Sequence, residues 1–409
     1  MLKGIKVRIY PDYLKQTEIN KLLGCSRFVY NYSLNLKSTT YKESKTNLST
    51  SDLNKEIIKL KNTDTHIWLK DAHSKVIQQS LIDLDKSYNN FFKNGSGFPK
   101  FKSKCDDNKC RFPIDAIIGI KGNRISLTNK LKDLHFKSSV KDEKFLNSNR
   151  DIKSVTLSKT KSGKYFLSIL IDRPNKVLPE TMKMVGIDIG IKDFIVTSDN
   201  LRFENIKTIR NNQDKLKQLN RRLSKTTKGS KNREKARIKL AKYNEKLKNI
   251  KINYLHNIVN TLLNENQVVV REDLNVVGML KNHRLSRSIQ ELSIGEFKRI
   301  LDYKSNWYDR TIIVIDRWFA SSKICNCCKV KNTKLKLSDR TWTCICGIKH
   351  DRDLNASNNI LEEGIKIGLS KPKFKPVENI FGNQDDLMDV VCSTNQEVES
   401  VKIDNVFEV

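Results

Sequence analysis

The chain has 409 residues, enough for two or three domains with cores of their own, and its 77 Lys and Arg against 46 Asp and Glu leave a formal charge of +31. Such an excess calls for a polyanion. No apolar run is long enough to cross a bilayer and no secretory leader is read at the start, so the expected partner is nucleic acid and not a membrane.

Residues 2–10 alternate Ile5, Val7 and Ile9 with Lys6, Arg8 and Tyr10, the period of a half-buried strand that Pro11 ends. A helical region follows, with Ile19, Leu22, Leu23, Tyr30 and Leu34 near helical spacing. After Trp68 comes a cleaner helix in which Ile77, Leu81, Leu84, Tyr88 and Phe91 step by four, three, four and three. These aromatics are read as core. The turn-rich segment 95–104, GSGFPKFKSK, would leave its lysines in solvent, so Lys100 and Lys102 are candidate phosphate contacts. From 112 to 172 short strands return, among them 155–157 and 166–171, joined as a hairpin across Lys161-Ser162-Gly163-Lys164.

The run VGIDIG at 185–190 is an apolar strand with one acid, Asp188, in its middle. A lone buried carboxylate is costly unless it is paired or binds a metal, so Asp188 is expected to have a cation partner; the plainer alternative is a strand-end turn cap. Between 207 and 251 seventeen Lys and Arg stand against three acids, in a helical pattern carried by Leu216, Leu219, Leu223, Ile238, Leu240, Tyr243 and Leu247. Residues 229–232 look like the turn of a helical hairpin. With so few compensating acids, Arg221, Arg222, Lys231 and Arg233 are candidate phosphate contacts rather than a merely solvated face. A second apolar strand, VVVREDL at 268–274, ends in Glu272 and Asp273, and a third at 311–315 leads through Arg317 and Ser321-Ser322 into a cysteine-rich stretch.

There Cys325 and Cys328 form a C-x-x-C pair, and after fifteen intervening residues Cys344 and Cys346 form a tighter pair followed by Gly347. Two close pairs at that spacing suit a tetrahedral, structural zinc ion. The ligands are expected to be Cys325, Cys328, Cys344 and Cys346, with Cys327 or His350 as possible substitutes. Cys25, Cys105, Cys110 and Cys392 make no disulfide framework, which points to a reducing compartment; Cys105 and Cys110 read as incidental thiols of a loop. From 371 to 409 four basic residues face eight acids, so this tail is expected to be a weakly structured appendage.

Three acids remain: Asp188 in mid-strand, Glu272 at a strand end, and Asp353 opening the helix that 354–361 predicts. Two divalent ions about 4 Å apart, held by acids from distant segments, can activate a water and stabilise the leaving oxygen of a phosphodiester. The arrangement fits an RNase H-like sheet, mixed in direction and flanked by helices.

At this point the residues resemble the TnpB family, proteins encoded by insertion sequences and related to type V CRISPR effectors. The likeness is carried by Lys6-Val7-Arg8-Ile9-Tyr10-Pro11, Phe98-Pro99-Lys100-Phe101-Lys102-Ser103-Lys104, Gly186-Ile187-Asp188-Ile189-Gly190, Glu272-Asp273-Leu274-Asn275-Val276, Ser321-Ser322-Lys323, and Asp351-Arg352-Asp353-Leu354-Asn355-Ala356. It implies an α/β architecture: an RNase H-like (RuvC) nuclease with an inserted zinc ribbon, preceded by a small β domain carrying a helical insert. The expected divisions are a wedge-like β domain at 1–15 and 112–180, a helical recognition insert at 16–111, the nuclease at 181–320 and 350–370, the ribbon at 321–349, and the acidic tail at 371–409. The implied activity is RNA-guided cutting of double-stranded DNA by Asp188, Glu272 and Asp353, with catalytic Mg²⁺, structural Zn²⁺ and a guide RNA from the element's flank. A monomer in the complex and a cytoplasmic, nucleoid-associated location are implied too, or a nuclear or viral-host one for a non-prokaryotic source. The sequence departs from the family at the short C-x-C pair and at Lys329, where the first knuckle usually has glycine. A guided repressor without cleavage, or a strand-joining transposase, would use the same framework.

Overall fold

The alternation at the N-terminus forms β1 (Leu2–Ile9), whose Val7 and Ile9 point into the core of an antiparallel sheet. In the computed structural model, which describes residues 1–104, 108–148, 152–336 and 338–369, β1 pairs on one side with β7 (Tyr165–Asp172) and on the other with β5 (Leu134–Lys137). The acidic tail, Cys105 and Cys392 lie outside the described residues. With β2 (Asn108–Pro113), β3 (Gly119–Lys121), β4 (Arg124–Ser126) and β6 (Ile152–Lys159) the sheet runs in the order β2-β6-β7-β1-β5-β4-β3. The β6–β7 hairpin closes at 160–164, where Gly163 takes the left-handed φ of +85° and the Thr160 N–H donates to the Lys164 carbonyl at 2.9 Å.

Between β1 and β2 lie α1 (Tyr13–Ser44), α2 (Thr50–Lys61) and α3 (Ser74–Asn94), while α4 (Val140–Ser148) precedes β6. Asp12 caps α1 by accepting the Lys15 N–H at 2.8 Å, and Ser49 and Asp52 form a capping box on α2. The α3 stripe buries Val76, Ile77, Leu81, Leu84 and Tyr88, and its buried Ser80 hydroxyl meets that of Ser26 on α1 at 2.8 Å. Cys25 and Cys110 are buried thiols of this core.

The chain divides into two compact units, Met1–Pro174 with Lys225–Lys242, and Asn175–Ser224 with the chain from Tyr243 onward. The second holds a five-stranded sheet in the order β10-β9-β8-β11-β12, made of β8 (Met184–Asp188), β9 (Asp193–Thr197), β10 (Arg202–Glu204), β11 (Val268–Glu272) and β12 (Thr311–Ile315). Strands β8, β11 and β12 are mutually parallel, whereas β9 and β10 run antiparallel. Along β11, Val269 faces a core that includes Leu255, Ile258, Val259, Phe297 and Ile300, while Val268 and Val270 face the other side with Ile360. A strand buried on both faces thus reads as an unbroken apolar run.

Its helices are α5 (Thr208–Asn211), α6 (Gln213–Ser224), α7 (Lys231–Glu265), α8 (Val276–Leu280), α9 (Ser286–Leu292), α10 (Ile294–Tyr308) and α11 (Arg352–Leu369); β13 (Thr341–Thr343) and β14 (Lys349–Asp351) form a small hairpin before α11. The basic segment that the sequence presents as one stretch is therefore shared. Residues 225–242, including the first turns of α7, group with the first unit, where Arg237 reaches the Lys161 carbonyl at 3.5 Å. No helix among the described residues is long and apolar enough to cross a membrane.

Candidate functional site

Strands β8 and β11 lie side by side with Arg271 opposite Ile187, so Asp188 and Glu272 leave adjacent parallel strands at the same level. The third acid comes from α11, which crosses the sheet with no room to spare. A Cβ added to Gly186 would strike the Ser357 carbonyl oxygen and stand 2.6 Å from the Leu361 nitrogen, and one added to Gly364 would strike Val270. Helix backbone against strand backbone brings Asp353, in the first turn of α11, to the end of β8.

The electrostatics report the meeting. Burial, and then the charges of Glu272 and Asp353, raise the Asp188 carboxyl to about 7. Burial also raises Glu272, against the pull of the Ser321 hydroxyl, which donates to its Oε1 at 2.6 Å, and of Lys298. The neighbouring acids are otherwise engaged. Asp273 accepts from Arg317 and lies 3.8 Å from Lys298, while Asp351 caps α11 through the Asp353 and Leu354 N–H groups (both 3.0 Å) and pairs with Arg202 at 3.1 Å. Asp353 has Arg340 at 3.4 Å. Among the described residues, the group of three or more side chains placed to hold one metal ion is the cysteine cluster.

That cluster is Cys325, Cys328, Cys344 and Cys346, with Cys325 and Cys346 sulfurs 3.8 Å apart and Cys328 and Cys344 sulfurs 3.4 Å apart. Four thiolates about 2.3 Å from a tetrahedral zinc would stand about 3.8 Å from one another, so the residues fit that ion. Cys327 is outside the group, and His350 sits behind it, buried, with Nε2 3.0 Å from the Cys325 sulfur. Both departures in the sequence have a local explanation. Lys329 takes the left-handed φ of +60° that glycine usually supplies, and its ammonium bonds Glu362 and the Asn326 carbonyl. In the C-x-C knuckle the turn is one residue tighter: the Gly347 N–H donates to the Cys344 carbonyl, where in the first knuckle the Lys329 N–H donates to Cys325 (both 2.9 Å).

Two residues escaped the sequence reading. Asn355 accepts the Asn326 N–H at 2.9 Å and donates to the Ile324 carbonyl at 2.7 Å; Asn359, one turn on, donates to the carbonyls of Ser321 (2.8 Å) and Ile324 (2.7 Å). Both are buried. They clamp the first knuckle to the helix that presents Asp353, and their only signal was an i, i+4 pair of amides on a face shared with Arg352, Glu362 and Lys366.

The candidate phosphate contacts fare differently. Lys100, Arg221, Arg222 and Lys231 are exposed. The Lys102 ammonium lies 3.6 Å from the Tyr30 ring centre, burial lowers its pKa, and Asn31 bonds both its N–H (2.8 Å) and its carbonyl (2.9 Å). Arg233 is half-buried, donating to the Thr226 carbonyl at 2.9 Å.

Strand order, helix placement and the knuckle inserted between the second acid and the third make the second unit an RNase H-like fold of the RuvC type. Residues 167–283 match a family model for OrfB of IS605, described as "Probable transposase", and 295–360 match the Cas12f1-like TNB domain. Residues 1–46, which here form β1 and α1, match the OrfB helix-turn-helix model. A Streptomyces pristinaespiralis protein named "Putative RNA-guided DNA endonuclease" is 33% identical over 91% of this chain and 92% of its own length. One from Escherichia coli K12, "Putative RNA-guided DNA endonuclease InsQ", is 28% identical over 89% and 92%. The solved Cas12f1–sgRNA–target DNA complex shares the fold at a TM-score of 0.54 and 14% identity, covering 92% of this chain and 99% of that one. The chain belongs to the TnpB family.

Proposed function

We propose that the protein is an RNA-guided DNA endonuclease that cuts by metal-dependent phosphodiester hydrolysis. The observation that carries this reading is the meeting of Asp188 with Glu272 and Asp353, in a chain whose relatives are named for that activity. The three acids would hold Mg²⁺, which when bound supplies an activated water and charge stabilisation for the leaving oxygen. The chain's own part is to hold three carboxylates on two strands and a helix start. Ser321 fixes one oxygen of Glu272 and leaves the other for metal. Zinc among the four thiols would be structural, because four sulfurs leave no open position for water. The β and helical parts at 1–15, 16–111 and 112–180 would hold guide and target, with 181–320 and 350–370 as the nuclease and 321–349 as the ribbon, in one chain per complex. Lys100, Arg221, Arg222 and Lys231 are the exposed cations offered to phosphate; Lys102 and Arg233 act mainly inside the protein.

The test is to express the chain with its flanking DNA, sequence the RNA that co-purifies, and offer a plasmid matching that RNA. The expected result is Mg²⁺-dependent cutting that Asp188→Ala, Glu272→Ala and Asp353→Ala each abolish, with RNA and DNA binding retained. Binding without cutting by the unaltered protein would replace this reading with that of a guided repressor, and joined strands would replace it with that of a transposase.

A further inference from the structure

The turn between β12 and the first knuckle sends two adjacent aromatics in opposite directions. Phe319 packs onto the core of Val268, Val270, Ile313 and Ile315, whereas Trp318 is 87% exposed. Its backbone is firmly held: the Trp318 N–H donates to Asp316 Oδ1 at 2.7 Å, Phe319 N–H to the Asp316 carbonyl at 3.3 Å, and Ser321 N–H to the Phe319 carbonyl at 2.9 Å. On one side of Trp318, Arg317 binds Asp273; on the other, Ser321 binds Glu272. The indole therefore stands on a rigid turn anchored twice to the end of β11. Ser321, whose hydroxyl holds a proposed metal ligand, is only three positions further on, a backbone span of at most about 10 Å.

We propose that Trp318 is a base-stacking residue, holding an unpaired nucleotide of the strand to be cut beside the phosphate at the acids. An indole presents a flat π-face that any base can cover without a hydrogen-bond code, as a nuclease whose sequence choice lies elsewhere requires. In a duplex the base faces are already covered, so the occupant is single-stranded. Arg317 and Lys298, both at Asp273, supply positive charge for its backbone. Burial of the ring by a base also accounts for a large apolar side chain in a position where a turn needs none. The inference rests on the endonuclease reading for the identity of the strand, but stacking itself can be measured without cleavage.

The experiment uses the full chain with its co-purified RNA, without added Mg²⁺, titrated with single-stranded oligothymidylate and with a duplex of equal length. Tryptophan emission of the unaltered protein should be quenched by the single strand. Trp318→Phe should lose most of that quenching yet bind labelled oligothymidylate within about twofold, since phenylalanine still stacks. Trp318→Ala should bind it about tenfold more weakly or worse, with duplex affinity and thermal unfolding unchanged. In cleavage of a single-stranded substrate, Trp318→Ala should raise KM with kcat held within about threefold. Undiminished oligothymidylate binding by Trp318→Ala, or quenching that survives Trp318→Phe, overturns the proposal even if the protein cuts DNA normally. Quenching assigned to Trp318 in a protein that never cuts would instead remove the endonuclease reading and leave the stacking site standing.

Discussion

Asp188 carries a charge that the folded chain, without a cation, tolerates poorly. Its folded value near 7 lies above the ordinary 3.8, so between those values the folded protein keeps a proton that the unfolded chain has released. Stability contributed by this group is full below about pH 4 and falls as pH rises to 7, by about 4 kcal/mol at most for a shift of this size. In Mg²⁺-free protein Asp188→Asn should therefore unfold at a higher temperature than the unaltered chain at pH 8, with the two converging towards pH 4. Added Mg²⁺ should narrow the gap at pH 8. Superimposed melting curves at pH 8 would show that the carboxylate is not penalised. Lys329 invites a different comparison, since its left-handed backbone favours glycine while its ammonium holds Glu362. Lys329→Gly should retain zinc against a chelator longer than Lys329→Ala, which keeps the strained backbone and loses the bond; the reverse order of release would contradict the geometry.

Helix α11 does two jobs through one register. Gly186 and Gly364 let it lie on the sheet, and Asn355 and Asn359 tie it to the first knuckle. Gly186→Ala must push the helix away, at about 1–3 kcal/mol of stability, and an Asp353 displaced by an ångström should cost about a hundredfold in cleavage rate. Wild-type cutting by Gly186→Ala would mean that Asp353 tolerates displacement. Asn355→Ala orphans the Asn326 N–H and leaves the Ile324 carbonyl with Asn359 alone, so it should lower zinc content and folded yield together, as Cys328→Ser should; elemental analysis measures the first and soluble recovery the second. How legible this was varies with the kind of contact. A lone Asp in an apolar strand and paired cysteines announce themselves, because few chemical environments tolerate them. Asn355 and Asn359 looked like ordinary helix polarity until the carbonyls they meet, more than thirty residues away in sequence, were seen. Lys102 misled in the opposite sense: a lysine in a turn-rich basic segment reads as solvated, and only the Tyr30 ring and Asn31 draw it inward.

Across the whole molecule the charge of +31 is spread over both units, and the basic run at 207–251 is divided between them. The sequence offered no boundary at residues 225 and 242, because helical periodicity continues through the second of them. If the exposed cations bind phosphate, replacing Arg221 and Arg222 by Gln should weaken nucleic-acid binding at low salt for all sequences alike and flatten the slope of log affinity against log salt by roughly 0.7–0.9 for each phosphate no longer neutralised. Lys231→Gln should act in the same way, and Arg233→Gln, whose guanidinium is engaged with Thr226, should act less on binding and more on stability. An unchanged slope for the Arg221 and Arg222 pair would leave α6 a solvated helix. The clamp between knuckle and α11 also sets an order in time. On the ribosome Asp188 and Glu272 emerge first, and domains fold as they appear. Asp353 follows only after all four cysteines, on a helix whose seating needs the first knuckle closed. A partly made or zinc-starved chain would thus hold two of its acids and lack the third in place, so that on the proposed reading the capacity to cut DNA waits for the knuckle to close.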